Sequence, residues 1–139
     1  MPVNRRWRRR AAIATGGAVG ASCRWAAVQA AGPHDSFPWT ILVVNVAGSF
    51  VLGVLLAEEP SHQRSRVALH DFGAIGFCGG LTTFSTFAVE VVDLIERGRP
   101  GTAVSYALVS LLSAVGAVLG GAALLRRARA VRMPVEGAP

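Results

Sequence analysis

Long apolar runs alternate with short polar connectors along this chain. A helix needs about 20 mostly apolar residues to cross the ~30 Å hydrocarbon core of a bilayer. Four runs have about this length, and they cover residues 11–31, 39–57, 68–95 and 102–125. Basic segments, 1–10 and 126–139, flank them. The pattern predicts an all-α membrane protein, in which residues 1–139 form one integral membrane domain with four transmembrane helices.

The third run contains a polar segment, Gly76–Phe87, which combines a glycine pair and four hydroxyl groups with Phe84 and Phe87. Glycine loosens a helix, and hydroxyl groups at bilayer depth need hydrogen-bond partners. Irregular backbone at that depth is tolerated only where protein buries it or water lines it. The segment therefore predicts a break in the third helix beside a passage for something small and polar.

Polar side chains also recur at helical spacing in the fourth run. Their steps are four, four and three residues, so Thr102, Tyr106, Ser110 and Ser113 share one face. Hydroxyl groups in membrane helices often bond back to their own helix or join helices together. Four in register favour a face that lines a pore. In the second run, Asn45 is costly at bilayer depth unless it bonds across an interface.

The predicted lining suits a small anion. Uncharged donors, and aromatic rings whose edges carry partial positive charge, can replace part of a hydration shell. The donors are Asn45, Thr83, Ser85, Thr86 and Ser110. They avoid the deep electrostatic trap of a buried lysine, and conduction requires binding weak enough to release the ion. The sequence contains no nucleophile–base pair, phosphate loop or acid–base carboxylate pair, so an enzyme is not expected.

These segments together resemble the CrcB/Fluc family of membrane fluoride channels over nearly the whole chain. The resemblance rests on the order and spacing of three groups of residues. They are Gly16-Gly17 with Gly20-Ala21 and Arg24, Asn45 with Gly48-Ser49-Phe50 and Gly53, and the run Gly76–Phe87. Two positions depart from the family's pattern, because Trp25 replaces a more common tyrosine or phenylalanine and Cys78 lies at a variable position.

The resemblance implies a dual-topology assembly, in which two four-helix subunits insert antiparallel and form two pores along their interface. It implies that Asn45 hydrogen-bonds fluoride and that Phe84 and Phe87 present ring edges to it. A polar track is implied for Ser85, Thr86 and a fourth-span hydroxyl, which we assign to Ser110.

The resemblance also implies two features outside the pore lining. Arg24 is expected near an aqueous vestibule, where it either draws anions in or is simply an interfacial or paired arginine. Glu90 is expected to pair with Arg24 or to face the same vestibule. A structural sodium ion is implied at the centre of the dimer, bound by backbone carbonyl groups that map to Gly79 and Thr82; carbonyl oxygens freed by a helix interruption suit a hard cation.

Arginine supplies all fourteen basic residues, and the formal net charge is +6. Eleven arginines lie before the first run, in the 58–66 connector or after the fourth run, whereas only Arg97 and Arg99 lie on the opposite side. Because arginine accumulates on the cytoplasmic side, both termini are expected there. The arginines flank the spans with little aromatic interleaving, which favours lipid headgroups over nucleic acid.

The unequal arginine count also affects which second subunit is expected. A subunit that inserts in both orientations should carry similar numbers of arginines on its two membrane sides. We therefore hypothesise an antiparallel heterodimer with a homologous subunit of opposite charge bias; the alternative is a homodimer, which is the family's simpler arrangement.

The function implied by the resemblance is passive export of fluoride across the cell membrane. Fluoride trapped inside as an anion would leave through an anion-selective pore, driven by the negative-inside potential, with no organic cofactor. The main alternative is a small proton-coupled multidrug exporter with four helices. That chemistry needs an acidic residue in the first span, and residues 11–31 contain none. A structural membrane bundle without transport is a third possibility.

Overall fold

The computed structural model describes residues 3–32, 37–57 and 64–132. Within these ranges the chain is helical apart from its connectors and one interruption, and it contains no β-strand. The helical elements are α1 (Val3–Ala31), α2 (Trp39–Leu56), α3 (Arg64–His70), a π-helical segment (Asp71–Phe77), α4 (Cys78–Leu81), α5 (Ser85–Glu96) and α6 (Pro100–Arg132). The predicted all-helical fold is therefore confirmed for the described residues.

Three stretches of the described chain are long and apolar enough to cross a membrane: Trp39–Leu56, Val67–Glu96 and Pro100–Val131. They make this a multi-pass membrane protein. The fourth predicted span lies in α1, which has 29 residues but also contains the basic run at its start and Arg24. α1 is less apolar than the other three stretches, because arginine and glycine interrupt its alanines.

The helices extend beyond two of the predicted runs. α1 begins at Val3 rather than near residue 11, so most of the basic segment 1–10 is helical. α6 continues to Arg132, past the end of the 102–125 run. Arginine has a high helix propensity, so a basic flank can continue a helix after the apolar residues end.

The third predicted run is not one regular α-helix. It passes from α3 into the π-helical segment, returns to α-helix in α4, and ends this part at Leu81. Thr82 has an extended backbone (φ −76°, ψ 154°), and the next helix, α5, begins at Ser85. The chain therefore leaves the helix at residues 82–84, within the polar segment where the sequence predicts a break. π-Helical turns inside α-helices are frequent at functional sites.

Glycines bring α1 against the third helical run. A Cβ atom on Gly16 would overlap the carbonyl of Phe72, and one on Gly20 would overlap the carbonyl of Phe77. Gly80 faces the carbonyl of Gly17 equally closely. Small residues at this spacing let helix backbones approach in a bilayer. The close approach of α1 to the third helical run therefore depends on these glycines.

A second pair of helices, α2 and α6, also meets at glycines. Cβ atoms on Gly53 and Gly121 would overlap the carbonyls of Val118 and Phe50. By contrast, Cβ atoms on Gly116 and Gly120 would meet no atom of the described residues within 4 Å. Among these residues, Gly116 and Gly120 therefore do not join helices.

The small hydrophobic core lies between α2, α5 and α6. It contains Leu42, Leu94, Ala103 and the fully buried Tyr106, with Phe87 packed against it. Most other large apolar side chains of the spans are exposed, as expected where lipid or another subunit replaces water. The core thus places α5 beside the first turns of α6.

Candidate functional site

The amide side chain of Asn45 holds the broken helix in place. Its Nδ2 donates a hydrogen bond to the carbonyl oxygen of Thr83 at 3.0 Å, and its Oδ1 accepts one from the Thr83 N–H at 2.8 Å. These two bonds replace bonds that the backbone of Thr83 would make in a continuous helix. One N–H of the Asn45 amide is left for another acceptor.

The hydroxyl of Thr83 organises a cluster at the start of α5. It lies 3.2 Å from the hydroxyl of Ser85 and donates to the hydroxyl of Thr86 at 3.2 Å. It also accepts a bond from the Thr86 N–H at 3.2 Å, which is how a threonine caps a helix N-terminus. Ser85 is exposed and Thr86 is half-buried. The cluster presents uncharged hydroxyl groups at the helix break.

The break also removes the usual donors from two carbonyl groups. In a continuous helix the Thr83 N–H would bond to Gly79 and the Thr86 N–H to Thr82. Here the first bonds to Asn45 and the second to the Thr83 side chain. Gly79 is exposed, and a Cβ atom there would meet nothing within 4 Å. Among the described residues, the carbonyl oxygens of Gly79 and Thr82 therefore lack the N–H donors that a continuous helix would give them.

A row of aromatic rings leads from the break into the core. The ring centroids of Phe84 and Phe87 lie 5.7 Å apart, and those of Phe87 and Tyr106 lie 5.2 Å apart. Phe37 then meets Tyr106 edge to face at 5.4 Å. Phe84 is 79% exposed, whereas Phe87 packs against the core. The exposed end of the row therefore needs lipid or a second subunit to cover it.

Tyr106 joins the hydroxyl-bearing face of α6 to α5. Its hydroxyl donates to Oε2 of Glu90 at 2.5 Å. One turn further along α6, Ser110 is 9% exposed, and its Oγ is near the Tyr106 hydroxyl but makes no hydrogen bond of normal geometry with a described residue. A buried hydroxyl without a partner is unusual and marks a place where another group can bind. By contrast, Ser113 donates back to the carbonyl of Val109 at 2.5 Å.

A cavity of about 160 Å³ adjoins this region. Thr86 and Glu90 line it near the cluster, and Asp93 and Arg97 line it towards the end of α5. Glu90 therefore lies on the wall of this cavity. Arg24 instead donates from Nε to the carbonyl of Gly80 at 3.3 Å, at the end of α4.

The structure brings together most residues that the sequence singled out. Asn45, Ser85 and Thr86 meet through Thr83, and Phe84 and Phe87 pair beside them. Ser110 lies one helical turn after Tyr106 on α6. Sequence reasoning placed Tyr106 on the predicted pore-lining face of the fourth run but did not identify its bond to Glu90 or its place in the aromatic row.

Comparisons with known proteins find a matching family and relatives over most of the chain. A family model described as CrcB-like protein, Camphor Resistance (CrcB), matches residues 11–122. A protein of Agrobacterium fabrum named fluoride-specific ion channel FluC is 39% identical over 120 residues, which cover 84% of this chain and 94% of that protein.

Two further relatives carry closely similar names. Fluoride-specific ion channel FluC of Methanopyrus kandleri is 40% identical over 113 residues, covering 81% of this chain and 86% of that protein. Fluoride-specific ion channel FluC 1 of Mycobacterium tuberculosis is 40% identical over 131 residues, covering 91% of this chain and 96% of that protein. These relatives are named as channels and not as enzymes.

Proposed function

Because the chain belongs to the CrcB family, we propose that it is a fluoride-selective channel through which fluoride leaves the cytoplasm passively. The observation that carries this proposal is the helix break, where Asn45 and Thr83 hold uncharged hydroxyl groups beside a pair of phenylalanine rings. Neutral donors and ring edges can replace the water around a small anion without trapping it. The relatives' names favour this function over a proton-coupled multidrug exporter.

Fluoride would pass along the polar track and the aromatic pair. Ser85 and Thr86 supply hydroxyl donors at the break, and the rings of Phe84 and Phe87 stand beside them. The unpaired hydroxyl of the buried Ser110 supports its place on the same path. Asn45 has one N–H to offer an anion, and its main contribution is to fix the backbone from which the track projects.

Two antiparallel subunits would form the working channel, with α1 as the fourth transmembrane helix of each. Phe84 is 79% exposed in one subunit, and Gly79 is exposed beside it. A second subunit would cover both and complete the lining. The partner is either this chain itself or a homologous subunit with the opposite arginine bias, and the imbalance of eleven to two favours the second.

A sodium ion is proposed at the centre of the dimer as a structural ligand. The carbonyl oxygens of Gly79 and Thr82 fit it, because both have lost their helical donors and neutral carbonyls suit a hard cation. The bare surface of Gly79 would let the partner's carbonyls approach the same ion. Bound there, sodium would supply a fixed positive charge between the subunits.

The arginine distribution supports an orientation in which both termini of this chain lie in the cytoplasm, with the protein in the cell (plasma) membrane. Arg24 of α1 is half-buried and bonds to the end of α4, and Glu90 lies on the cavity wall. Both residues would shape the aqueous approaches to the pore. The membrane potential would then drive fluoride out without energy coupling.

Fluoride efflux from liposomes, followed with a fluoride electrode, tests the function. We expect the protein to release fluoride and retain chloride, and we expect Phe84→Ile to slow release by at least about tenfold, which corresponds to ~1.4 kcal/mol of barrier. Leu119→Ile, at a side chain that is 65% exposed on α6, is the control. Liposomes that release no fluoride would refute the proposal.

The partner is tested separately by expressing the chain alone and locating its termini. A heterodimer predicts termini on one side only and little efflux until a homologous subunit is added. Working channels with termini on both sides of the membrane would instead establish the homodimer.

A further inference from the structure

The two longest helices end at the same end of the bundle. Arg9, near the start of α1, bonds to Asp71, where the third helical run enters its π-helical segment. Arg129, near the end of α6, donates to the carbonyl of Ala57 at the end of α2. Because residue 57 and residue 64 are joined by one short connector, the start of α1, the end of α2, the start of α3 and the end of α6 share this end.

Both helices reach past the hydrocarbon. At 1.5 Å per residue, the 29 residues of α1 span about 44 Å and the 33 residues of α6 span about 50 Å, against ~30 Å of hydrocarbon. The apolar part of α1 begins at residue 11, so the preceding turns lie at the level of the lipid headgroups. We call the arginines of these turns and of the end of α6 the arginine-rich end: Arg5, Arg6, Arg8, Arg9, Arg10, Arg126, Arg127 and Arg129.

The arginine-rich end has a large excess of positive charge. By sequence, eleven arginines belong to this side of the membrane against four acids, of which Glu58, Glu59 and Glu136 lie outside the described residues. The fourth, Asp71, is 3% exposed and bonds to Arg9. The opposite side has two arginines against four acids. The two membrane faces of the protein therefore differ strongly in charge.

The first turns of α1 are also built for an interface. Arg9 bonds to Asp71 while its own side chain is 61% exposed, and Trp7, two residues earlier, projects from nearly the opposite side of the helix and is 67% exposed. Tryptophan prefers the headgroup level of a bilayer. The remaining arginines of this turn are exposed, and a guanidinium group matches a phosphate with two parallel hydrogen bonds.

From these observations we infer that the arginine-rich end binds the phosphate groups of anionic phospholipids in the adjacent leaflet. The ion pair between Arg9 and Asp71 holds the first turns of α1 against the bundle. The other arginines of these turns, which are all exposed, collect anionic lipids around Trp7. This surface is independent of the pore, and the inference stands whether or not the protein conducts fluoride.

Quenching of Trp7 by brominated lipids tests the inference. Trp25→Phe and Trp39→Phe, both at exposed positions, leave Trp7 as the only tryptophan. The protein is placed in phosphatidylcholine vesicles that contain an equal fraction of either brominated phosphatidylglycerol or brominated phosphatidylcholine. We expect the anionic quencher to be at least ~2-fold more effective, since each nearby arginine attracts anionic lipid. Equal quenching by the two lipids would overturn the inference.

The charge dependence is tested with matched variants. One variant replaces four exposed arginines of α1: Arg5→Gln, Arg6→Gln, Arg8→Gln and Arg10→Gln. Arg9 is kept so that its bond to Asp71 remains. We expect this variant to lose the preference for brominated phosphatidylglycerol. Arg97→Gln with Arg99→Gln at the opposite end should leave the preference unchanged. A preference that survives loss of the α1 arginines contradicts the inference.

If the variant with four replaced arginines does not fold, the same quenching can be measured at increasing salt concentration in protein that keeps all its arginines. Raising ionic strength should reduce the preference, because screening weakens charges at the surface. A salt-independent preference would argue against phosphate recognition. A short DNA duplex that binds to protein in pure phosphatidylcholine vesicles, without any preference for brominated phosphatidylglycerol, would assign this surface to nucleic acid and overturn the inference.

Discussion

Asn45 on α2 forms a two-way pair of hydrogen bonds with the backbone of Thr83, which lies 38 residues later in the chain. The pair crosses from an unbroken helix to a broken one. It explains how backbone outside a helix persists in a membrane span, because the amide supplies both a donor and an acceptor to groups that lipid cannot satisfy. The position of the hydroxyl cluster depends on this pair.

Asn45→Asp should slow fluoride efflux severely. The carboxylate keeps an acceptor for the Thr83 N–H but presents negative charge to the Thr83 carbonyl and to an approaching anion. An unsatisfied buried group costs about 1–3 kcal/mol, so we expect about a ten- to hundredfold lower rate in the electrode assay. Ser105→Ala is the control, because the Ser105 hydroxyl only returns to the carbonyl of Gly101 in its own helix. Normal efflux by the aspartate variant would contradict the role given to Asn45.

Ser110→Ala and Ser113→Ala separate a pore-facing hydroxyl from a structural one. Ser110 is buried without a hydrogen bond of normal geometry, whereas Ser113 bonds to Val109. We expect Ser110→Ala to lower fluoride efflux by several-fold with little loss of thermal stability, since it removes a donor that stabilises the passing ion, worth ~1 kcal/mol. Ser113→Ala should transport at the original rate. The reverse order of effects would move the polar track away from Ser110.

Tyr106→Phe tests the bond between Tyr106 and Glu90. The ring would keep its place in the aromatic row, but the Glu90 carboxylate would lose the donor that lies 2.5 Å away. A less neutralised carboxylate repels anions, so fluoride efflux should fall by about tenfold or more, in line with a charged hydrogen bond worth ~1.5–3 kcal/mol.

The second substitution Glu90→Gln removes that charge, and it should restore part of the rate lost in Tyr106→Phe. A double variant slower than the single one would contradict the charge of Glu90 as the cause of the slower efflux.

Gly20→Ala should destabilise the subunit. The added methyl group would overlap the carbonyl of Phe77, and backbone there cannot move without separating α1 from the third helical run. We expect a loss of about 1–3 kcal/mol, seen as a lower unfolding temperature in detergent. Gly101→Ala is the matched control, since its Cβ atom would meet nothing within 4 Å and alanine favours helices. Equal stability of the two variants would argue against the close approach.

Local sequence was enough to predict several features of the site. The break near residues 82–84 could be predicted because glycines and hydroxyls cluster within a few positions, and backbone preference acts over that range. The aromatic pair Phe84 and Phe87 could be predicted as well, since residues three apart on a helix are neighbours. The π-helical segment could not, because no residue pattern in Asp71–Phe77 distinguishes it from an ordinary helical turn.

Other features depend on contacts between distant parts of the chain. Sequence showed that Asn45 needs a partner but could not identify Thr83, and it gave no reason to join Arg9 to Asp71 across 62 residues. The sequence also grouped Ser110 and Ser113 on one face. Only the packing of α6 shows that the Ser110 hydroxyl is buried without a hydrogen bond of normal geometry to a described residue, whereas Ser113 bonds to Val109.

The amino-acid sequence by itself determined the helices, the place of the interruption and the unequal charge of the two membrane faces, because composition and spacing act locally. The tertiary structure alone decided which polar groups meet. At bilayer depth each of them must find its partner within the protein, and the approach of the helices, set by glycines such as Gly20 and Gly53, selects that partner.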